Sequence, residues 1–199
     1  MGNYVGKSMK RVEDPRFIQG KGRYVANLTL PGMVYLAIKR SPYAHAKINS
    51  IDTSAAEALD GVLGVFTGQD LLNDGVGALP CGWQVPNIKI PVQYALQVDK
   101  VRHVGDRVAI VVAESPYIAY DALDLIEVDY DPLPAAIGAK AAMDAGVLVH
   151  DEIANNVSYT WEIGDKAARD KAFAEADHIV ELDLINQRLI ATAMEPRAA

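Results

Sequence analysis

VRHVGDRVAIVVAESPYIAYDALDLIEVDYDPL, residues 101–133, is the stretch from which the rest of the chain is read. Residues 108–113 are apolar without a break, the pattern of a strand buried on both faces. Ser115 offers a side-chain oxygen to cap a helix, and Pro116 stands in the first turn, where a missing N–H costs nothing. Ile118, Ala119, Ala122 and Leu123 fall on one side of that helix, with Tyr120, Asp121 and Asp124 on the other. The period then changes. Ile126, Val128 and Tyr130 alternate with Glu127, Asp129 and Asp131, which predicts a half-buried strand closed by Pro132 and Pro134.

Upstream, residues 33–40 read as a strand apolar on both faces, and therefore central in its sheet. Residues 46–51 follow as a second strand anchored by Ile48 and Ile51. Thr53 or Ser54 caps a short helix reaching Leu59. Glu57 stands at capping-box spacing from Ser54, and Gly61 is a left-handed stop. Residues 62–66 return as a strand, and Thr67 caps another brief helix. Between 73 and 91, six glycines and prolines break all periodicity, which predicts a long loop serving a partner or a lid. Residues 1–32 read as a turn-rich lead-in with one short strand near 23–25. Beyond the central unit come a weak helix or surface crossing at 135–145 and a turn at Asn155-Asn156. A helix at 166–176 follows, with Ala168, Ala172 and Phe173 on one face. Residues 178–189 then read as a strand carried by Ile179, Leu182, Leu184 and Ile185. A boundary near 134–145 separates an α+β body from this helix–strand arm.

Half of the 199 residues are hydrophobic, enough to bury a core. The net charge of −7 leaves no basic stripe for nucleic acid. Cys81 is the single cysteine, so neither a disulfide framework nor an iron–sulfur cluster, which takes about four thiolates, is contained in the chain. No apolar run reaches the roughly 18 residues of a membrane span, and MGNYVGKSMKR lacks the apolar centre of a signal peptide. The expectation is a cytoplasmic protein that touches no membrane.

Four histidines, His45, His103, His150 and His178, lie far apart and read as surface or strand-end residues, not ligands. Gly20-x-Gly22 and Gly75-x-Gly77 lack the rest of a dinucleotide fingerprint and read as turns. Cys81 has no nearby cation to activate it. Glu127, Asp129 and Asp131, two apart on one strand, mark its solvated side rather than a catalytic pair. Lys7, Lys10, Arg11, Arg16, Lys21 and Arg23 form a locally basic strip that reads equally as a docking surface or as solvated side chains. No catalytic constellation emerges from the residues alone.

Several segments, taken in order, carry a resemblance. They are Gly20-Lys21-Gly22-Arg23-Tyr24, Arg40-Ser41-Pro42-Tyr43-Ala44-His45-Ala46, Asp60-Gly61-Val62, Thr67-Gly68, Val104-Gly105-Asp106-Arg107-Val108-Ala109 and Val128-x-Tyr130-x-x-Leu133-Pro134. Together they resemble the α/β hammerhead domain of the molybdenum hydroxylases, the xanthine dehydrogenase and aldehyde oxidase family. The opening through Gly20 looks closest to the branch of the aerobic carbon monoxide dehydrogenase large subunit. Asn186-Gln187-Arg188 and Met194-Glu195-Pro196-Arg197 are similar to the first strand of the family's molybdenum cofactor-binding region. Asn27 and Asp106 depart from the family pattern, which more often has aspartate at the first position and glutamine or glutamate at the second.

The resemblance implies an α+β fold: a lead-in at 1–20, a hammerhead domain at 21–134, a linker at 135–164, and the start of the cofactor-binding domain at 165–199. It implies a non-catalytic scaffold portion of a large subunit, inactive alone and part of an oxidoreductase when joined to the remaining large-subunit segments. The whole enzyme would carry a molybdopterin cytosine dinucleotide cofactor, with [2Fe-2S] clusters on a small subunit and FAD on a medium subunit. This chain alone is expected to bind none of them. Later segments of the family supply the glycine-rich glutamine motif, the active-site loop and the catalytic glutamate. The chain is therefore expected to be a truncated piece or one part of a split subunit. No catalytic residue is expected here. Asn186, Gln187, Arg188, Glu195 and Arg197 are the residues expected near the cofactor region. The unpaired C-terminal strand should be loosely held or should self-associate. The other reading is a stand-alone binding module that reuses the fold without redox activity.

Overall fold

The computed structural model describes residues 4–144, 146–187, 189–193, 195 and 198. The chain divides into two units, residues 34–171 and residues 1–33 with 172–199.

The larger unit contains two three-stranded sheets. Strands β1 (Tyr35–Arg40), β3 (Val62–Thr67) and β5 (Arg107–Ala113) form one in the order β1-β5-β3, with both pairs antiparallel. Strands β2 (Ala46–Asp52), β4 (Lys100–Val101) and β6 (Glu127–Pro132) form the other in the order β4-β2-β6, again antiparallel. The unbroken apolar run thus becomes the middle strand of the first sheet. Ala109, Val111 and Ala113 point into one cluster with Ala37, Val65 and Ala56, while Val108 packs on the other side with Ala46 and Val101. Two-sided burial is why that strand tolerates no polar alternation. Ile51 and Val128 pack against both clusters, so the two sheets share one core.

Helix α4 (Pro116–Asp124) joins β5 to β6 and so carries the chain from one sheet to the other. The Ser115 side chain accepts from Ile118 N at 3.2 Å, Ala119 and Ala122 are buried, and Tyr120 is exposed. Lys39 Nζ donates to the Leu123 carbonyl at 2.8 Å, a cation placed where a helix leaves its last carbonyls unpaired. Helix α2 (Ser54–Glu57) ends short of Leu59. The Ser54–Glu57 capping box does not form; Thr53 Oγ1 donates to Glu57 Oε1 at 2.7 Å, and Ser54 Oγ turns to Asp52 at 2.6 Å. Gly61 has φ +84°, the left-handed stop its position demanded.

Helix α3 (Gly68–Asn73) begins with Thr67 and Asp70 capping each other, and the Thr67 hydrogen bonds hold the Asp70 carboxyl below its usual value. Gly68 is buried there by close approach. A Cβ would stand 2.6 Å from the Gln97 carbonyl oxygen and 2.8 Å from that of Leu96.

The loop expected at 73–91 runs further: residues 74–99 contain no helix or strand. They are pinned by Lys89 N donating to Ser158 O at 2.9 Å, Ser158 Oγ donating to Lys89 O at 2.7 Å, and Trp83 meeting Tyr159 and Trp161 edge-on. Helix α5 (Ala139–Asp144) fills the alanine-rich passage, and Asn155 and Asn156 both turn at φ +56°.

Three expectations need correction. Strand β1 is an edge strand, since Leu36 is 58% exposed and β5 is its one neighbour in the sheet among the described residues. The short strand expected near 23–25 does not form; residues 25–27 are a 3-10 turn, and a helix, α1 (Asp14–Ile18), precedes it with Pro15 in its first turn. Helix α6 (Lys166–Ala174) is fully exposed, and the described residues from 178 to 187 form no strand, because no segment among the described residues pairs with them as a ladder.

Candidate functional site

The densest polar grouping lies in the larger unit, around the loop that joins β4 to β5. Asp106 is 1% exposed, yet it is ionisable, so its oxygens need donors. Oδ1 accepts from Gln97 Nε2 at 3.0 Å and Oδ2 from Arg102 N at 2.9 Å. His103 Nδ1 stands 3.5 Å from the same Oδ2. The loop is tied to the end of β1 by Ser41 N to Asp106 O and Gly105 N to Ser41 O, both 2.8 Å. The Val-Gly-Asp-Arg-Val segment is therefore a carboxylate-closed turn, with Asp106 as its internal acceptor.

Arg102 lies across this turn. Its Nη1 donates to Lys100 O at 2.9 Å and to Gln97 Oε1 at 3.4 Å, and Nη2 is 3.8 Å from Asp99. Lys100, mostly buried, donates to Asp151 at 2.8 Å, which holds the Asp151 carboxyl below its usual value. His150 is pushed down, first by desolvation and then by the positive charge of Arg102, with Glu152 and Asp151 opposing. His45 is buried, with Nδ1 2.7 Å from the Pro134 carbonyl. Arg102, His103 and His45 line a cavity of about 160 Å³.

Sequence reasoning missed this grouping. His45 stands at a strand end, but not on the surface: 7% exposed, it ties the start of β2 to the chain leaving β6. The available signal was polar residues, His45, Gln97 and Asp106, embedded beside apolar strand positions. Glu127, Asp129 and Asp131 do face solvent, as their alternation implied. Among the described residues no three of His, Cys, Asp and Glu gather as a metal site. Cys81 Sγ contacts the Trp83 carbonyl at 2.9 Å.

Of the residues expected near a cofactor, Asn186 and Gln187 are exposed, and Arg188 and Arg197 lie outside the described residues. Glu195 is exposed, and its Oε1 accepts from Val25 N at 3.2 Å, within the smaller unit. All described residues from 159 onward are exposed.

The family model described as "Aldehyde oxidase and xanthine dehydrogenase, a/b hammerhead domain" matches residues 19–134. The chain belongs to that family. A second family model, "Molybdopterin cofactor-binding domain", matches residues 149–199 of this family member. The carbon monoxide dehydrogenase large chain of Afipia carboxidovorans is 40% identical over 90% of this chain and 23% of its own length. Among solved structures, Cu,Mo-CO dehydrogenase in its carbon monoxide reduced state matches with a TM-score of 0.67 and 40% identity, over 87% of this chain and 23% of that one. Quinoline 2-oxidoreductase from Pseudomonas putida 86 matches with a TM-score of 0.65 and 40% identity, over 80% of this chain and 20% of that one. The hammerhead chain thus spans about a quarter of the length of the relatives it matches. No helix among the described residues is long and apolar enough to cross a membrane.

Proposed function

We propose that this chain is the hammerhead body, with the opening of the cofactor-binding region, of the large subunit of a molybdenum-dependent dehydrogenase. The enzyme would be of the carbon monoxide dehydrogenase type or the aldehyde and xanthine oxidase type, working in the cytoplasm. The observation that carries this reading is the order of the two family matches, hammerhead at 19–134 and molybdopterin-binding at 149–199. On this reading, residues 21–134 are the hammerhead domain, 135–164 a linker, and 165–199 the first part of the cofactor-binding domain.

A molybdopterin cytosine dinucleotide cofactor, when bound by the whole subunit, supplies the redox chemistry. Electrons would pass to [2Fe-2S] clusters on a small subunit and then to FAD on a medium subunit. This chain's own role is support: the paired sheets and residues 165–199 would each meet the remaining large-subunit segments. Asn186, Gln187, Arg188, Glu195 and Arg197 would stand near the cofactor once those segments enclose it.

Co-expression of this chain with the remaining three quarters of a carbon monoxide dehydrogenase large chain tests the proposal. A co-purifying complex that carries molybdenum and reduces dye is expected, with neither property in this chain alone. Failure to associate would favour a stand-alone module, and stoichiometric molybdenum on the chain alone would refute the scaffold role.

A further inference from the structure

We infer that the aromatic cluster of Trp83, Tyr159 and Trp161 is a docking surface, and that its occupant is an apolar face of the remaining large-subunit segments. Such an occupant presupposes the function proposed above.

Trp83 and Trp161 are the two tryptophans of the chain. Trp83 is 54% exposed, Trp161 56% and Tyr159 42%. The Trp83 ring centroid lies 5.6 Å from that of Tyr159 and 6.3 Å from that of Trp161, with the ring planes at 72° and 88°. Rings that meet edge to face support one another, so the three side chains form one body. The backbone beneath them is held as well. Leu79 N donates to Gln93 O at 2.7 Å and closes the loop that carries Trp83. The two hydrogen bonds between Lys89 and Ser158 tie that loop to the segment that carries Tyr159 and Trp161. A surface already fixed in shape loses little conformational freedom on binding.

Charge is missing around the cluster. Lys89 is the only charged residue between positions 75 and 98, although charged residues make up 23% of the chain. Leu79, Ile90 and Val92 of the same stretch are exposed too. Exposed tryptophan and tyrosine in a stretch depleted of charge have the composition of an interface core, where such rings carry most of the binding energy. The choice of occupant follows from where the rings stand in the chain. Trp83 lies in the hammerhead match at 19–134, and Tyr159 and Trp161 lie in the cofactor-binding match at 149–199. The Afipia carboxidovorans large chain has 23% of its length matched by this chain. On the function proposed, the cofactor-binding domain continues in the rest of such a chain. Consecutive elements of one domain are usually neighbours in space, so the later segments of that domain are the partners suited to cover its first rings.

Hydroxyl-radical footprinting read by mass spectrometry is the test. It compares the full 199-residue chain alone with the same chain co-expressed with the remaining three quarters of a carbon monoxide dehydrogenase large chain. Oxidation of Trp83 and Trp161 should fall severalfold in the complex. Trp83→Glu, a charge set into the cluster, should lower the recovery of complex by about tenfold or more, the usual worth of an aromatic anchor. The variant alone should keep the circular dichroism of the wild type. Footprinting of the wild type needs no variant, so it decides even where Trp83→Glu disturbs the loop. A complex whose tryptophans oxidise as fast as in the chain alone overturns this surface and leaves the proposed function standing. No complex at all overturns both. Protection that rises with the concentration of the chain alone would give the surface to a second copy. Protection that needs an iron–sulfur or flavin subunit would give it to that subunit, and either result overturns the assignment.

Discussion

Gly68 shows what one missing methyl group does. The residue opens α3 and touches the backbone of the loop that returns at Leu96 and Gln97, with carbonyl oxygens 2.6 and 2.8 Å from where a Cβ would stand. Main chain cannot swing aside as a side chain can. Gly68→Ala should therefore cost about 1–3 kcal/mol by overpacking, and lower Tm by roughly 5 °C in a thermal melt. An unchanged Tm would show that the loop yields freely. His150 gives a second prediction, in pH. Its folded pKa lies below the ordinary value of 6.5, chiefly through desolvation. The unfolded chain then takes up the proton first on acidification. Stability from this group is present above 6.5 and is lost as pH falls from there through the folded value. Wild type should lose more Tm than His150→Gln between about pH 7 and 5. Parallel curves would refute this. Neither residue's part was legible in the sequence, because a close approach or a desolvated ring depends on residues 29 positions away, as Gln97 is from Gly68, or further. Thr67-Gly68 was visible as a motif, but its reason lies in the Leu96–Gln97 backbone.

Elements were legible where local chemistry decided them. The run at 108–113 could only be a strand covered on both faces, and β5 is that strand; Ser115 and Pro116 together placed the start of α4. Val111 lies opposite Ala37 on one side and Val65 on the other, with no exposed surface. Val111→Asp would bury a charge with no partner at a cost of several kcal/mol, a large part of the roughly 5–15 kcal/mol that holds a domain folded. The variant should be insoluble, or unfolded by circular dichroism. A soluble protein of unchanged Tm would overturn the placement of β5. Legibility failed where an element depends on a neighbour. Apolar residues on both faces of 33–40 suggested a central strand, yet in β1 Leu36 lies largely open to solvent. Periodicity states which positions favour burial, not whether anything covers them. Pro15 hid α1 for a different reason: among charged residues a proline reads as a turn, although it sits equally well in a first helical turn.

On the scale of the whole molecule, residues 178–189 carry the sequence pattern of a strand, but those of them that the structure describes do not form one. Ile179 is 55% exposed, Leu182 76%, Leu184 81%, Ile185 85% and Leu189 85%. So many large apolar side chains in one short segment are unusual on a free surface and mark a site of association. Because the family member proposed here spans about a quarter of its relatives, the partner proposed is the remaining large-subunit segment, added as a neighbouring strand. Backbone amides of 182–187 should therefore exchange with solvent quickly in the chain alone. Addition of the rest of a carbon monoxide dehydrogenase large chain should slow them, because a ladder protects each N–H it pairs. Hydrogen exchange read by mass spectrometry at low protein concentration makes the comparison, since dilution removes protection that comes from a second copy of this chain. Protection that grows with concentration would assign the edge to self-association. Strong protection in the dilute monomer would show that the arm is already paired within the chain, and the scaffold reading would lose its docking strand.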